Sequence, residues 1–438
     1  MIDATRRTEN RLEQHPLRFR LNNEIHARPP VALEAPQLIS YLAVTHEGVT
    51  APDELDHLRE LAQAFAKALP EAEGEHLFLD LNAFRLRWER HTEFSSYTFF
   101  RKPQAGDDPA RGALSAVSQE WISNIPGRML VATHIELRSA AEVPPSTVMK
   151  RLSQPSGLQL IASQVADGAA WVFTDFLLTD GWSRFMVIDA SLTPRQAGRT
   201  VQRLLEIETY RMTALLAFPV AKEVGVLLTR AEQELADLMD RMGGGGSPGD
   251  ERELLSSLTR LAAQVERSVA RSTYRFGAAA AYYRLVGQRI DELREQRLTG
   301  MPTIREFMDR RLSPAMSTCA AIARRQEDLS SRVARNSQLL RTRVDIDLQR
   351  QNQLLLAQMN RRARLQLRLQ QTVEGLSVVA ITYYASQLVN YMSKGAKSLL
   401  GPLTPEVITA VSIPIIAGVV ALGLRRMHHQ LAEDAGEH

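Results

Sequence analysis

The side chains best placed by type and spacing to do chemistry lie in "LRWERHTEF", where Glu89, His91 and Glu93 alternate with Trp88, Arg90, Thr92 and Phe94. Successive side chains of a strand point to opposite faces, so on a strand the two carboxylates and the imidazole would share one side. Two carboxylates flanking a histidine can ligate a divalent metal or tune the ring as a base. The plainer reading is a solvated sheet face on which glutamates pair with arginines, and it is the one the sequence favours. A second group, Glu24, His26 and Arg28 of "NEIHARPP", precedes two prolines and reads as loop or extended chain with a structural histidine. No catalytic residue is assigned, no cofactor is expected, and the chain is read as a non-enzyme. G-x-x-x-x-G-K-[ST] and H-E-x-x-H are absent, and the spacings G-x-G-x-x-G and G-x-S-x-G occur only inside "GGGGSPG", after a helical run and without the strand each needs.

These residues belong to a mixed segment, read as an α+β domain over 38–192 after an extended N-terminal stretch, 1–37. The pattern predicts strands at 38–45, 76–81, 84–94, 97–101, 129–137, 158–165, 169–178 and 182–189, with helices at 53–69, 112–124 and 145–152. Strand, helix and three strands then occur twice. "VTH" at Val44–His46 echoes "ATH" at Ala132–His134, and "TEF" at Thr92–Phe94 echoes "TDF" at Thr174–Phe176, each of the latter pair following a tryptophan, Trp88 and Trp171. We read this as an internal duplication, a pseudo-twofold unit whose sheets could join across the dyad.

From about Arg195 the pattern turns helical. Long helices are expected over 193–298, with a kink at Pro219 and a flexible linker at 243–249. The short turn "TGMPT" then leads into a third run, so the two long helices around it should be antiparallel. Leu329, Val333, Leu340, Val344, Leu348, Leu355, Met359 and Ala363 mark a stripe whose steps sum to eleven residues, the period of a nearly straight helical contact. Its partner is either the preceding helix or a copy in another subunit.

The charge is unevenly spread. The whole chain of 438 residues carries a formal +3, but residues 299–372 hold 14 basic and 6 acidic groups, and that basic, membrane-proximal helix runs into an uncharged stretch. Residues 375–393 and 407–424 have no charge and are each about long enough to cross ~30 Å of hydrocarbon. A transmembrane helical hairpin is therefore expected over 373–426, with a tail at 427–438. Arg361, Arg362, Arg364 and Arg368 precede it and Arg425 and Arg426 follow it, at positions suited to lipid headgroups. Both termini are then expected in the cytoplasm of a bacterial inner membrane. Tyr383, Gln387 and Asn390 share one face of the first span, read as helix-packing residues or a polar pore lining, and Glu374 reads as a headgroup-level acid. Nucleic acid is not expected as a partner, because few aromatics interleave the arginines. A single cysteine, Cys319, excludes an intramolecular disulfide, and the polar first 36 residues argue against a cleaved signal peptide.

"NEIHARPP", "LRWERHTEFSSYTF", "VFTDF", "GRTVQRLLEIETYRMTALLA", "FMDRRLSPAMSTC" and "LLRTRVDIDLQRQNQLLLAQMNRRARLQLRLQQTVEGLSV" resemble the signature blocks of a family of uncharacterised bacterial membrane-anchored proteins. The resemblance covers nearly the whole chain. It implies a C-terminal membrane anchor and no ligand or catalytic residue. The architecture is also similar to that of CorA-type metal-ion channels, but "LVNYMSKG" stands where that family ends its first span in Gly-Met-Asn. The leading expectation is thus a homo-oligomeric, membrane-anchored scaffold or membrane-organising protein, with a CorA-like ion channel or transporter as the alternative.

Overall fold

The uninterrupted run "LISYLAV" is the pattern of a strand covered on both faces, and the computed structural model places it in β1 (Gln37–Thr45), buried along nearly its whole length. Residues 14–19, 21–22, 29–70, 75–108, 111–152, 160–244, 248–395 and 405–434 are described. The other strands are β2 (His76–Asp80), β3 (Arg85–Arg90), β4 (Phe94–Arg101), β5 (Arg128–Ser139), β6 (Ile161–Val165), β7 (Ala170–Thr174), β8 (Ser183–Asp189) and the two-residue β9 (Gln296–Arg297). They form one mixed sheet in the order β2-β3-β4-β1-β5-β8-β7-β6-β9.

Read outward from β1 and β5 to β2 and β6, that order is palindromic, in keeping with the repeated succession of elements. Polarity breaks the symmetry, because β4 runs antiparallel to β1 whereas β8 runs parallel to β5. A rotation relating two copies would preserve both pairings. The expected pseudo-twofold duplication is therefore corrected: the halves share an order of elements but are not related by a dyad.

One face of the sheet carries Leu42, Leu86, Trp88, Tyr97 and Phe99, which pack with Leu58 and Leu61 of α1 (Ala51–Ala64) and with Trp121 of α2 (Gln119–Ser123). Each fully buried side chain of this kind stabilises the fold by roughly 1.5–3 kcal/mol. A capping box of Thr50 and Asp53 starts α1. The helix stops at Ala64, short of the expected 69, where Ala66 turns left-handed and Phe65 packs edge-on against Phe84 at 5.2 Å. The expected strand 84–94 is likewise shorter. His91 N–H donates to the Phe94 carbonyl, so His91–Glu93 is the hairpin turn between β3 and β4. A short helix, α3 (Pro145–Leu152), lies where 145–152 was expected.

The opposite face is crossed by α4 (Pro194–Leu215), which buries Val201, Leu204, Leu205 and Ile207. The helix breaks at Leu216 and resumes as α5 (Ala217–Gly243). The expected kink at Pro219 is thus displaced: that proline sits in the first turn of α5, where an N–H has no intrahelical partner to lose. Helix α6 (Pro248–Leu293) ends where Arg294 adopts a left-handed φ of 52°, which frees the next residues to add β9 to the sheet edge. Then come α7 (Ile304–Arg311), α8 (Ser313–Gly395) and α9 (Pro405–Asp434). The α6 and α8 segments are antiparallel as expected. Gln326 reaches Ser268 and Ser272, and Ser330, further along α8, reaches Glu266, further back along α6.

The chain divides into two compact units. The first comprises residues 1–245 and 254–337, so the sheet and the helices packed on it belong together; the second comprises 246–253 and 338–438. Along the eleven-residue stripe, Leu329, Val333 and Leu340 are buried, whereas Leu348, Leu355 and Met359 are exposed. Among the described residues two helical stretches are long and apolar enough to cross a membrane, 194–243 and 405–423. The second coincides with one expected span. The other expected span, 375–393, is not among them, since Tyr383, Tyr384, Gln387 and Asn390 dilute its apolar character; the apolar stretch within 194–243 was not foreseen.

Candidate functional site

Beneath α4 the two middle side chains of the inward face of β4 are short, between Phe94 and Phe100. Ser96 and Thr98 face the helix, flanked through the strand register by Glu89 and Arg87 of β3 and by Tyr41 of β1. Longer neighbours hold the helix off these two residues, and a cavity of about 260 Å³ remains between sheet and helix. Its roof is a helical stripe at spacings of three and four: Gly198, Val201, Gln202, Leu205, Glu206, Thr209 and Tyr210. Gly198 is required there, because a Cβ would lie 1.8 Å from the Val31 carbonyl oxygen. That close approach seats residues 31–33 on the first turn of α4, and the Leu33 N–H donates to the Pro194 carbonyl.

The cavity is charged but balanced. Arg87 donates to Glu89 at 2.6 Å, and Glu89 is only 6% exposed. From α6, Arg289 pairs with Glu206 and, at 2.9 Å, with Glu292. Gln202 Nε2 donates to Glu206 at 2.8 Å, and the Tyr41 and Thr209 hydroxyls lie 2.8 Å apart. Burial, reinforced by the Glu206 carboxylate, pushes the Tyr210 phenol up to about 12, and burial also raises Tyr41. Two polar atoms of the lining, Arg87 Nε and Gln202 Oε1, are buried without a hydrogen-bond partner. An unmet buried donor or acceptor costs roughly 1–3 kcal/mol.

The sequence-predicted trio is divided. Glu89 and His91 line the cavity, with the His91 ring stacked 4.5 Å from Phe94. Glu93, on the hairpin turn, is engaged by Arg275 of α6 at 2.9 Å. The favoured reading of a solvated sheet face is corrected: glutamate–arginine pairing occurs, but under a helix. Phe94 was expected opposite Glu89 and lies on the same side, because the turn resets the alternation. Among the described residues no three His, Cys, Asp or Glu side chains converge as metal ligands. Glu24, His26 and Arg28 lie outside the described residues. Sequence reasoning missed Tyr41, Gln202, Glu206, Tyr210 and Arg289. The i, i+4, i+8 series of Gln202, Glu206 and Tyr210 was visible as a helical stripe, but nothing local said that a sheet covers it.

In the second unit, Arg361, Arg362, Arg364 and Arg368 are exposed, as is Arg426; the side chain of Arg425 lies outside the description. Of the expected polar face, Tyr383 is exposed and Gln387 and Asn390 are half-buried. The buried positions are Ser386 and Ser393, whose hydroxyls bond back to carbonyls of their own helix. Val378, Thr382 and Ser386 of α8 share a groove with Ile413 and Ala417 of α9, so small side chains mediate the approach of the two helices.

Fold and site together define a mixed α+β protein with a sheet–helix cavity, extended by long helices of which one ends in an uncharged apolar stretch. The chain belongs to the family described as Protein of unknown function (DUF3422), whose model it matches over residues 13–431. No curated protein and no solved structure matches it.

Proposed function

We propose that this protein is a membrane-anchored, homo-oligomeric scaffold or membrane-organising protein of the bacterial inner membrane, its sheet-containing unit and both termini in the cytoplasm. The observation that carries this reading is the apolar stretch 405–423, in which every residue after Pro405 is exposed or only half-buried. A contiguous exposed apolar surface marks contact with lipid or with another chain. Leu376, Val379, Leu388 and Met392 of α8 are exposed as well. Exposed arginines at 361, 362, 364 and 368 stand before the segment that pairs with α9, in the place where basic groups meet anionic headgroups. The exposed part of the α8 stripe, Leu348, Leu355 and Met359, supports self-association through a second copy. Lipid and further copies of the chain are the partners in this reading, and nucleic acid is not among them.

The test is flotation of the full-length chain with vesicles, followed by an alkaline carbonate wash. Retention after the wash, lost on deletion of residues 405–434, is the expected result. Cysteines placed near either terminus should be modified only from the cytoplasmic side, and chemical cross-linking in membranes should trap oligomers. A full-length chain that stays monomeric and soluble without detergent overturns the reading.

A further inference from the structure

We propose that the cavity between β3, β4 and α4 binds a small zwitterion with an apolar side chain, in chemical class an α-amino acid. The inference is independent of the membrane reading. At about 260 Å³ the space lies near the lower edge of the ~300–1,000 Å³ typical of ligand pockets, which suits a metabolite-sized occupant.

Charge selects the class. The walls present one Arg–Glu pair from the sheet, Arg87 and Glu89, and another from the helices, Arg289 and Glu206. The lining itself therefore carries two guanidiniums and two carboxylates in a partly dehydrated space, with Glu292 bonded to Arg289 from outside it. A singly charged ligand would leave an uncompensated charge there, which is costly. A zwitterion brings a carboxylate for a guanidinium and an ammonium for a carboxylate, each a charge-assisted hydrogen bond. The lining residues match that division: the Arg87 and Arg289 guanidiniums are donors suited to a carboxylate, and the Glu89 and Glu206 carboxylates, with the Gln202 amide oxygen beside Glu206, are acceptors suited to an ammonium.

Shape supplies the remaining requirement. The same cavity is also lined by Leu33, Val201, Leu205 and Phe100, an apolar surface that a polyol or an inorganic ion would leave unused. An aliphatic or aromatic side chain gains by leaving water there. Ordered water filling the space is the competing outcome.

Isothermal titration of the full-length chain in detergent micelles with L-leucine and L-phenylalanine tests the proposal. Each is compared with its amide, which lacks the carboxylate, with its N-acetyl derivative, which lacks the ammonium, and with glucose. The expected result is one site per chain for the free amino acids, about tenfold or greater weakening for both derivatives, and no heat from glucose. Glu206→Gln, checked for native circular dichroism, should weaken binding similarly. No heat from either amino acid at millimolar concentration means that only water fills the cavity and overturns the proposal. Equal binding of the derivatives, binding of glucose in their place, or unaltered binding by folded Glu206→Gln does the same. Should that variant not fold, the derivative series on the unmodified chain decides the matter alone.

Discussion

Tyr41 Oη lies 2.8 Å from Thr209 Oγ1, so a hydroxyl pair ties the central strand of the sheet to the helix that roofs the cavity. Both residues are buried, and Thr209 Oγ1 is also 2.8 Å from the Leu205 carbonyl, to which it can donate while accepting from the phenol. Tyr41→Phe should therefore lower stability by about 1 kcal/mol, the usual net worth of one internal hydrogen bond. Thr209→Val should cost a similar amount, and the double variant less than the two combined, because both remove the same bond. Urea denaturation of the four chains reads the coupling; strict additivity would show that the pair contributes nothing jointly.

Gly198 is fixed by backbone rather than by a mobile side chain. Gly198→Ala places a methyl carbon 1.8 Å from the Val31 carbonyl oxygen, so either residues 31–33 lift or the helix shifts. Overpacking of this kind costs about 1–3 kcal/mol, which outweighs the ~1 kcal/mol that alanine gains over glycine within a helix. The urea midpoint should fall; a rise would place the contact elsewhere.

Glu54, only 1% exposed, accepts from Trp88 Nε1 at 2.9 Å and Ser95 Oγ at 2.7 Å and pairs with Arg90. Glu54→Ala strands the Arg90 guanidinium beside the core and should cost about 3–5 kcal/mol. Glu54→Gln keeps the shape and should be milder. Chemical denaturation with tryptophan fluorescence follows both; a loss within experimental error for the alanine variant would contradict the role assigned to this carboxylate.

Alkaline stability should be governed by buried tyrosines. Burial raises Tyr41, Tyr97, Tyr210 and Tyr282, with Tyr210 near 12 and the others higher. Unfolded phenols ionise near 10, so between that pH and the folded values the unfolded state binds fewer protons and stability falls as pH rises. The chain has only six lysines to overlap this window. Spectrophotometric titration should find these four phenols ionising last. Ionisation of all nine tyrosines near pH 10 without unfolding would refute it.

On the acid side the relevant group is His57, stacked 4.3 Å from Trp121 with Nε2 3.1 Å from the Trp121 carbonyl. Burial lowers its pKa, as it does that of His46. The neutral folded form thus supplies stability that is complete above the unfolded value near 6.5 and is lost as pH falls through the folded value. Urea midpoints measured between pH 7.5 and 5.5 should decline, and His57→Gln should flatten the decline. A parallel pH profile for that variant would assign the acid sensitivity to other groups.

The strands, the short helix at 145–152 and the antiparallel long helices were legible because periodicity, turn residues and caps act over a few positions. Local patterns also marked the uncharged stretch at 407–424 and the arginines ahead of it. They did not reveal that 91–93 is a turn, a decision made by one hydrogen bond between His91 and Phe94. Nor did they show that β8 runs parallel to β5, since strand polarity depends on how the connections travel over the sheet and not on the strands themselves.

The sequence by itself determined which residues carry charge, which runs are apolar and the type of most helices and strands though not all their ends, because these follow from side-chain chemistry and short-range geometry. Tertiary structure alone decided that Glu89 lies under a helix, that residues from β1, β3, β4, α4 and α6 meet around one cavity, and that Arg289, two hundred positions from Glu89 along the chain, shares it. Burial and electrostatic pairing are properties of what lies across the gap, and that neighbour is chosen only when the whole sheet has assembled.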